Sequence, residues 1–119
     1  MNKTVVVTGG TRGIGAAVSG VLATAGWQVI AASVSQLEID AFTGPASIDL
    51  HLLDVTDDAS VNMLFSGLGK LDALVNCAGI LQREAEYDIK VFQRVIDVNL
   101  TGTMRCCVAA QPHLSLIHI

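Results

Sequence analysis

The stretch VVVTGGTRGIG, residues 5 to 15, sets the stiffest residues of the chain directly before its most flexible ones. A β-branched apolar run stops at Thr8, and Gly9, Gly10, Gly13 and Gly15 follow within seven positions. The short continuous run Thr4 to Thr8 predicts a strand buried on both faces of a parallel sheet. Gly13 to Ala25 predicts a helix, with Ile14, Val18, Val21, Leu22 and Ala25 on its buried face and Gly26 closing it. A glycine-rich turn between such elements has a physical use. The helix start offers free N–H groups and the positive end of its dipole, which suits phosphate. Backbone without side chains lets the phosphate come close, and glycine tolerates the positive φ of a tight turn. An ordinary glycine-rich β-α turn is the plainer alternative.

The alternation continues downstream. Gln28 to Val34 predicts a second strand, followed by a weak segment from Ser35 to Phe42 that Gly44-Pro45 ends. Ile48 to Val55 predicts a third strand. Thr56, Asp57 and Asp58 suit a helix start, since carboxylates favour the positive end of the dipole. That helix runs to about Leu68, with Val61, Leu64, Phe65 and Leu68 apolar. Ala73 to Asn76 predicts a fourth strand. Asp88 to about Ala110 predicts one long helix carrying Phe92, Ile96, Leu100 and Met104 at four-residue spacing. Strands alternating with helices imply parallel pairing through right-handed crossovers. The expected fold is therefore α/β, a doubly wound, Rossmann-like parallel sheet with about four strands present. In such a sheet ligands bind in the crevice at the carboxyl ends of the strands.

Composition bounds the partners. The chain has 119 residues, 51% hydrophobic and 15% charged, with a net charge of −4. That supports one globular domain and argues against nucleic acid or an anionic membrane surface as partner. Cys77, Cys106 and Cys107 form no C-x-x-C pair, which points to reduced thiols and a cytoplasmic setting rather than a disulfide framework or zinc site. His51, His113 and His118 have no metal-ligand spacing, so no metal is expected. The apolar run after Lys3 is too short for a signal-peptide core, and no stretch nears the roughly 20 apolar residues of a membrane span.

The glycine stretch does not follow G-x-G-x-x-G. It reads T-G-x-x-x-G-x-G through Thr8, Gly9, Gly13 and Gly15, and in this it resembles the classical short-chain dehydrogenase/reductase family. Three further segments carry the resemblance: LLDVTD at Leu52 to Asp57, LDALVNCAG at Leu71 to Gly79, and VIDVNLTG at Val95 to Gly102. The likeness covers residues 3 to about 113. Extended relatives use T-G-x-x-G-x-x-G and would need glycine where this chain has Arg12.

The resemblance implies roles residue by residue. Gly9, Gly13 and Gly15, with Thr8 and Thr11 on the same turn, would cradle a pyrophosphate, and Ile14 would lie toward the nicotinamide side. Asp54 and Val55 are similar to the family's adenine-contacting pair; a capping carboxylate is the alternative for Asp54. Asn76, Ala78 and Gly79 would sit over the riboses. Cys77 replaces the family's usual second Asn and is read as a packed small residue, not a nucleophile. Asp72 resembles an Asp that supports the adenine pocket, with turn formation as the alternative. Asn99 matches the catalytic Asn, whose backbone carbonyl holds a water in a proton relay; a polar residue on an apolar helix face is the plainer reading.

An NAD site usually places a carboxylate at the end of the second strand. Here that place is Ser33, in AASVSQ, which contains no acid. Arg12 adds a positive charge, and Ser33 and Ser35 can donate hydrogen bonds, so NADP(H) is expected over NAD(H). The implied activity is hydride transfer between NADP(H) and a small carbonyl or alcohol substrate, in a parent protein that forms a homodimer or homotetramer. A regulatory protein that binds the dinucleotide without chemistry is the alternative. A sheet left half covered, with no function, is a third.

The family's Ser and Tyr-x-x-x-Lys follow the Asn helix. The only tyrosine, Tyr87, precedes Asn99 and has Val91 four residues on. Residues 1–113 are thus expected to be the N-terminal part of the cofactor domain, inactive alone. The last six residues, LSLIHI, match a translated transposase sequencing adapter, so 114–119 is expected to be a non-native tail. A fifth strand beginning after Pro112 is the alternative.

Overall fold

The structure, a computed structural model, describes residues 2–114. The elements are β1 (Thr4–Thr8), α1 (Gly13–Thr24), β2 (Gln28–Ser33), α2 (Gln36–Asp40), β3 (Asp49–Leu52), α3 (Asp58–Ser66), β4 (Ala73–Asn76), α4 (Ile89–Ile96) and α5 (Gly102–Ala110). A π-turn over Asp97–Thr101 joins α4 to α5. The strands form one sheet in the order β3-β2-β1-β4, with every pairing parallel. The chain winds outward from β1 to β3, then crosses back to lay β4 on the other side of β1. That reversal opens a crevice at the carboxyl ends of β1 and β4, where Thr8 pairs with Asn76.

Side-chain alternation along β1 divides the core into two layers. Val5 and Val7 pack with Val29, Ala31 and Ile48 against Val18, Leu22 and Ala23 of α1. Val6 packs on the opposite face with Ile30, Ala32, Val61, Phe65 and Cys106. All three valines are fully buried, and each such burial contributes about 1.5–3 kcal/mol.

The predicted strands and helices are present, with differences in facing and extent. The buried face of α1 is Gly15, Val18, Ser19 and Leu22, whereas Ile14, Val21 and Ala25 are exposed. Contact with the glycine turn sets this phase: the Ser19 hydroxyl donates to Gly10 O at 3.0 Å, and a Cβ on Gly15 would lie 1.9 Å from Gly9 O. The third strand is shorter than Ile48–Val55, because the chain leaves the sheet after Leu53 N–H bonds Ser33 O at 2.8 Å. The weak segment after β2 contains a real helix, α2, capped by Ser35.

The long helix also packs differently from its apolar spacing. Phe92, Ile96, Leu100 and Met104 are 49%, 38%, 65% and 63% exposed. The inward face consists of Val98, Gly102, Cys106 and Ala110. Gly102 abuts Val55 so closely that a Cβ would lie 2.6 Å from its Cγ2. Small residues let this helix sit close to the sheet, leaving the bulky stripe outside. After α5 the chain returns to the sheet: Leu71 N–H donates to His113 O at 2.8 Å, and Leu114 forms a parallel bridge with Leu71. Residues 115–119 of the expected tail, including His118, lie outside the described residues.

Candidate functional site

The crevice at the carboxyl ends of β1 and β4 gathers most of the residues singled out in the sequence. The buried Thr8 hydroxyl accepts the N–H groups of Cys77 and Ala78, each at 3.2 Å. This locks the end of β1 to the segment that follows β4. Gly9 has φ +60°, and a Cβ there would lie 2.8 Å from Ala78 Cα. Glycine is therefore required twice over at this position, by conformation and by space. Gly13 has φ +57° but nothing within 4 Å of where a Cβ would be.

The start of α1 differs from those of α2, α3 and α4; α5, which continues from the π-turn, also lacks a side-chain cap. Side chains of Ser35, Asp57 and Asp88 cap α2, α3 and α4. Arg12, at the N-cap of α1, provides no side-chain cap. The first-turn amides have no intrahelical partners and receive none from the Arg12 side chain. Open backbone at Gly13, close packing at Gly9 and Gly15, and an uncapped positive dipole end together fit a pyrophosphate.

Across the crevice, Asn99 sits in the π-turn and clamps the loop after β4. Ile80 N–H donates to Asn99 Oδ1 at 2.8 Å, and Asn99 Nδ2 donates to Ile80 O at 2.9 Å. A Cβ on Gly79 would approach Asn99 Oδ1 to 3.3 Å. The Thr103 hydroxyl donates to the Asn99 carbonyl at 3.0 Å. Arg12, Gly79, Ile80 and Asn99 line an open cleft of about 530 Å³. Asn76, at the end of β4, keeps its Oδ1 buried without a hydrogen-bond partner, while its Nδ2 reaches Cys107 Sγ at 3.5 Å. Burial raises the Cys77 thiol pKa above its ordinary value, which opposes thiolate formation.

At the far side, Asp54 Oδ1 accepts the Thr56 hydroxyl at 2.7 Å and the Thr56 N–H at 2.9 Å. These bonds hold its carboxyl below the usual carboxylate range, with a smaller contribution from Arg94 and Arg105. The helix cap that Asp54 was an alternative for belongs instead to Asp57, which accepts Ala59 N–H at 3.0 Å. The Val55 side chain is buried, and its carbonyl accepts Arg105 Nη1 at 3.1 Å. Arg105 also pairs with Asp58 at 3.0 Å and Asp97 at 2.8 Å, tying the loop after β3 to the Asn99 helix.

Two sequence expectations change. Asp72 accepts Thr4 N–H at 2.8 Å, which puts it at the amino end of the sheet, the length of a strand away from the crevice. Ser33 was read as lacking a nearby acid, yet Glu38 of α2 supplies one. Glu38 Oε2 accepts the Ser33 hydroxyl at 2.9 Å and the Thr11 hydroxyl at 3.4 Å, and Oε1 lies 3.3 Å from Arg12 Nη1. The signal was present as the capping pattern Ser35-x-x-Glu38, but only the folded chain turns that carboxylate toward β1. Thr103 and Arg105 carried no comparable signal. Among the described residues no group of three or more His, Cys, Asp or Glu could hold a metal, and no helix is long and apolar enough to cross a membrane.

The comparisons agree with this geometry. The sequence matches the family described as short chain dehydrogenase over residues 3–117. It is 37% identical over 118 residues to an uncharacterized oxidoreductase of Bacillus subtilis, covering 88% of this chain and 43% of that protein. It is 36% identical to cis-4-hydroxycyclohexanecarboxylate dehydrogenase of Sinomonas cyclohexanicum, covering 95% of this chain and 50% of that protein. The structure superposes on ligand-free aldohexose dehydrogenase of Thermoplasma acidophilum with a TM-score of 0.82 at 30% identity, covering 95% of this chain and 44% of that one. The chain thus spans about half the length of the relatives it matches. By its glycine turn, its doubly wound sheet and a match that runs almost its whole length, this chain belongs to the short-chain dehydrogenase family.

Proposed function

We propose that this chain is the cofactor-binding part of an oxidoreductase that transfers hydride between NADP(H) and a small carbonyl or alcohol substrate. The observation that carries this reading is the uncapped start of α1 over an open Gly13 at the switch point of the sheet. The first-turn amides of Gly13, Ile14 and Gly15, with Thr8, Gly9 and Thr11 shaping the turn, hold the pyrophosphate. Asp54 and the Val55 backbone take the adenine side. Asn76, Ala78 and Gly79 line the riboses. Arg12, Ser33 and Ser35 favour the 2′-phosphate. A bound nicotinamide supplies or accepts the hydride.

The chain's own residues prepare the site around that chemistry. The Asn99 side chain fixes the loop after β4, and its backbone carbonyl presents an acceptor for a relay water. The family's Tyr-x-x-x-Lys pattern does not occur in these 119 residues, so the chain alone is expected to bind without turnover. The exposed stripe Phe92, Ile96, Leu100 and Met104 supports a homodimer or homotetramer as the working form. Three free cysteines support a reducing, cytoplasmic setting.

The test is a structure of the intact protein with NADPH. Diphosphate oxygens against residues 9–15 are expected; diphosphate bound elsewhere overturns the assignment.

A further inference from the structure

Arg105 is the only charged residue of α5, set among small and apolar neighbours in GTMRCCVAA. Its half-buried side chain bridges three segments. Nε donates to Asp58 Oδ1 at 3.0 Å, in the first turn of α3. Nη1 donates to Asp97 Oδ1 at 2.8 Å, at the start of the π-turn, and to Val55 O at 3.1 Å, in the loop after β3.

Neither carboxylate needs an arginine for the fold. Asp58 lies where the helix dipole already favours a negative charge, and Asp57 caps that helix. The Asp58 and Asp97 side chains are 80% and 40% exposed, so water can serve both and the ion pairs add little stability. What the guanidinium supplies is geometry. Its planar fork fixes several acceptors relative to one another, which a lysine ammonium does not.

The pieces so fixed lie on opposite sides of the crevice. Val55 is held twice, its carbonyl by Arg105 and its side chain by the close packing of Gly102. Asp97 begins the π-turn that carries Asn99, and Asn99 bonds both backbone groups of Ile80. A continuous run of contacts therefore leads from Val55 through Arg105, Asp97 and Asn99 to Ile80, which lines the cleft. Packed and hydrogen-bonded groups in such a run carry coupling between separated sites.

We propose that Arg105 is a positioning residue that registers the loop after β3 against the π-turn, so that a ligand held at Asp54 and Val55 also steadies Asn99 in its grip on Ile80. This rests on the dinucleotide reading of the crevice.

The experiment is amide hydrogen exchange at Ile80, followed by NMR in the 119-residue chain with and without saturating 5′-AMP. This probe carries the adenine side of the dinucleotide without its nicotinamide half. In the unaltered chain AMP should slow Ile80 exchange about fivefold, the low end of coupling between sites. Arg105→Lys keeps the charge, but one ammonium cannot span the three acceptors, so the slowing should fall sharply. In Arg105→Met it should vanish. A merely structural role would raise exchange with and without AMP alike and leave the slowing factor unchanged. Full slowing in Arg105→Lys overturns the role of Arg105, and so does an absence of slowing in the unaltered chain with AMP bound; both leave the cofactor site standing. Failure of the unaltered chain to bind AMP overturns the assignment of adenine to Asp54 and Val55, and this proposal with it.

Discussion

Gly13 and Gly15 are two residues apart, yet alanine should fail at them for different reasons. At Gly13 a Cβ meets nothing within 4 Å, but φ is +57°. The cost is conformational, about 1–2 kcal/mol for an L-residue held in the left-handed region. At Gly15 φ is helical, but the Cβ would sit 1.9 Å from Gly9 O and 2.7 Å from Gly9 C. A carbonyl cannot rotate away as a side chain can, so the turn must move by more than an ångström, and the cost should reach about 3 kcal/mol, the upper end for overpacking. Urea unfolding followed by Trp27 fluorescence measures both, since Trp27 is the single tryptophan. NADPH titration supplies the second reading. Gly13→Ala should stay folded and lose affinity about tenfold or more, because a methyl group holds the diphosphate off amides whose bonds to a charged ligand are worth about 1.5–3 kcal/mol each. Gly15→Ala should lose stability and binding together. Undiminished binding by Gly13→Ala would mean that the α1 amides do not hold the phosphates, and wild-type stability in Gly15→Ala would refute the close packing of the turn.

The Asp54 carboxyl is held below its ordinary value of 3.8 chiefly by the Thr56 hydroxyl and N–H. A depressed carboxylate contributes stability that is fully present above the unfolded value and is lost as pH falls through the lower folded one. Thr56→Val should therefore lower stability at neutral pH and flatten its decline below about pH 4, the ordinary carboxylate range; an unchanged acid limb in urea midpoints would contradict the assignment. Thiol labelling should separate the cysteines. Cys107 is exposed and should react first in the native chain. Cys106 is buried and its pKa is pushed up to about 11, so it should react only on unfolding. Equal rates for the two in the folded chain would show that the inward face of α5 is misplaced.

Much of this architecture was legible because its signals are local. A β-branched run breaking into glycines marks β1 and α1, Asp57 announces the start of α3, and the order of strands and helices fixes a parallel sheet. The motif segments were legible too: Gly9 stands where φ and close packing admit only glycine, and Asn99 where its side chain bonds both backbone groups of Ile80. Helix rotation was not. The sequence GIGAAVSGVLAT is apolar or small almost throughout, so its composition does not say which face turns inward; the contact of Gly15 with Gly9 does. Nor did four-residue spacing reveal that Gly102 and Cys106, rather than Leu100 and Met104, face the sheet. Close approach of backbones rewards small side chains, and that reward exists only once the elements are packed.

Charge at the end of β2 shows the same division. The sequence by itself determined that a phosphate-compatible turn precedes α1 and that no acid ends β2. Only the tertiary structure decided that Glu38, five residues beyond Ser33, folds back to Ser33, Thr11 and Arg12. Coulombic contact depends on distance in space, and a short helix can return a side chain to a strand end that it left along the chain.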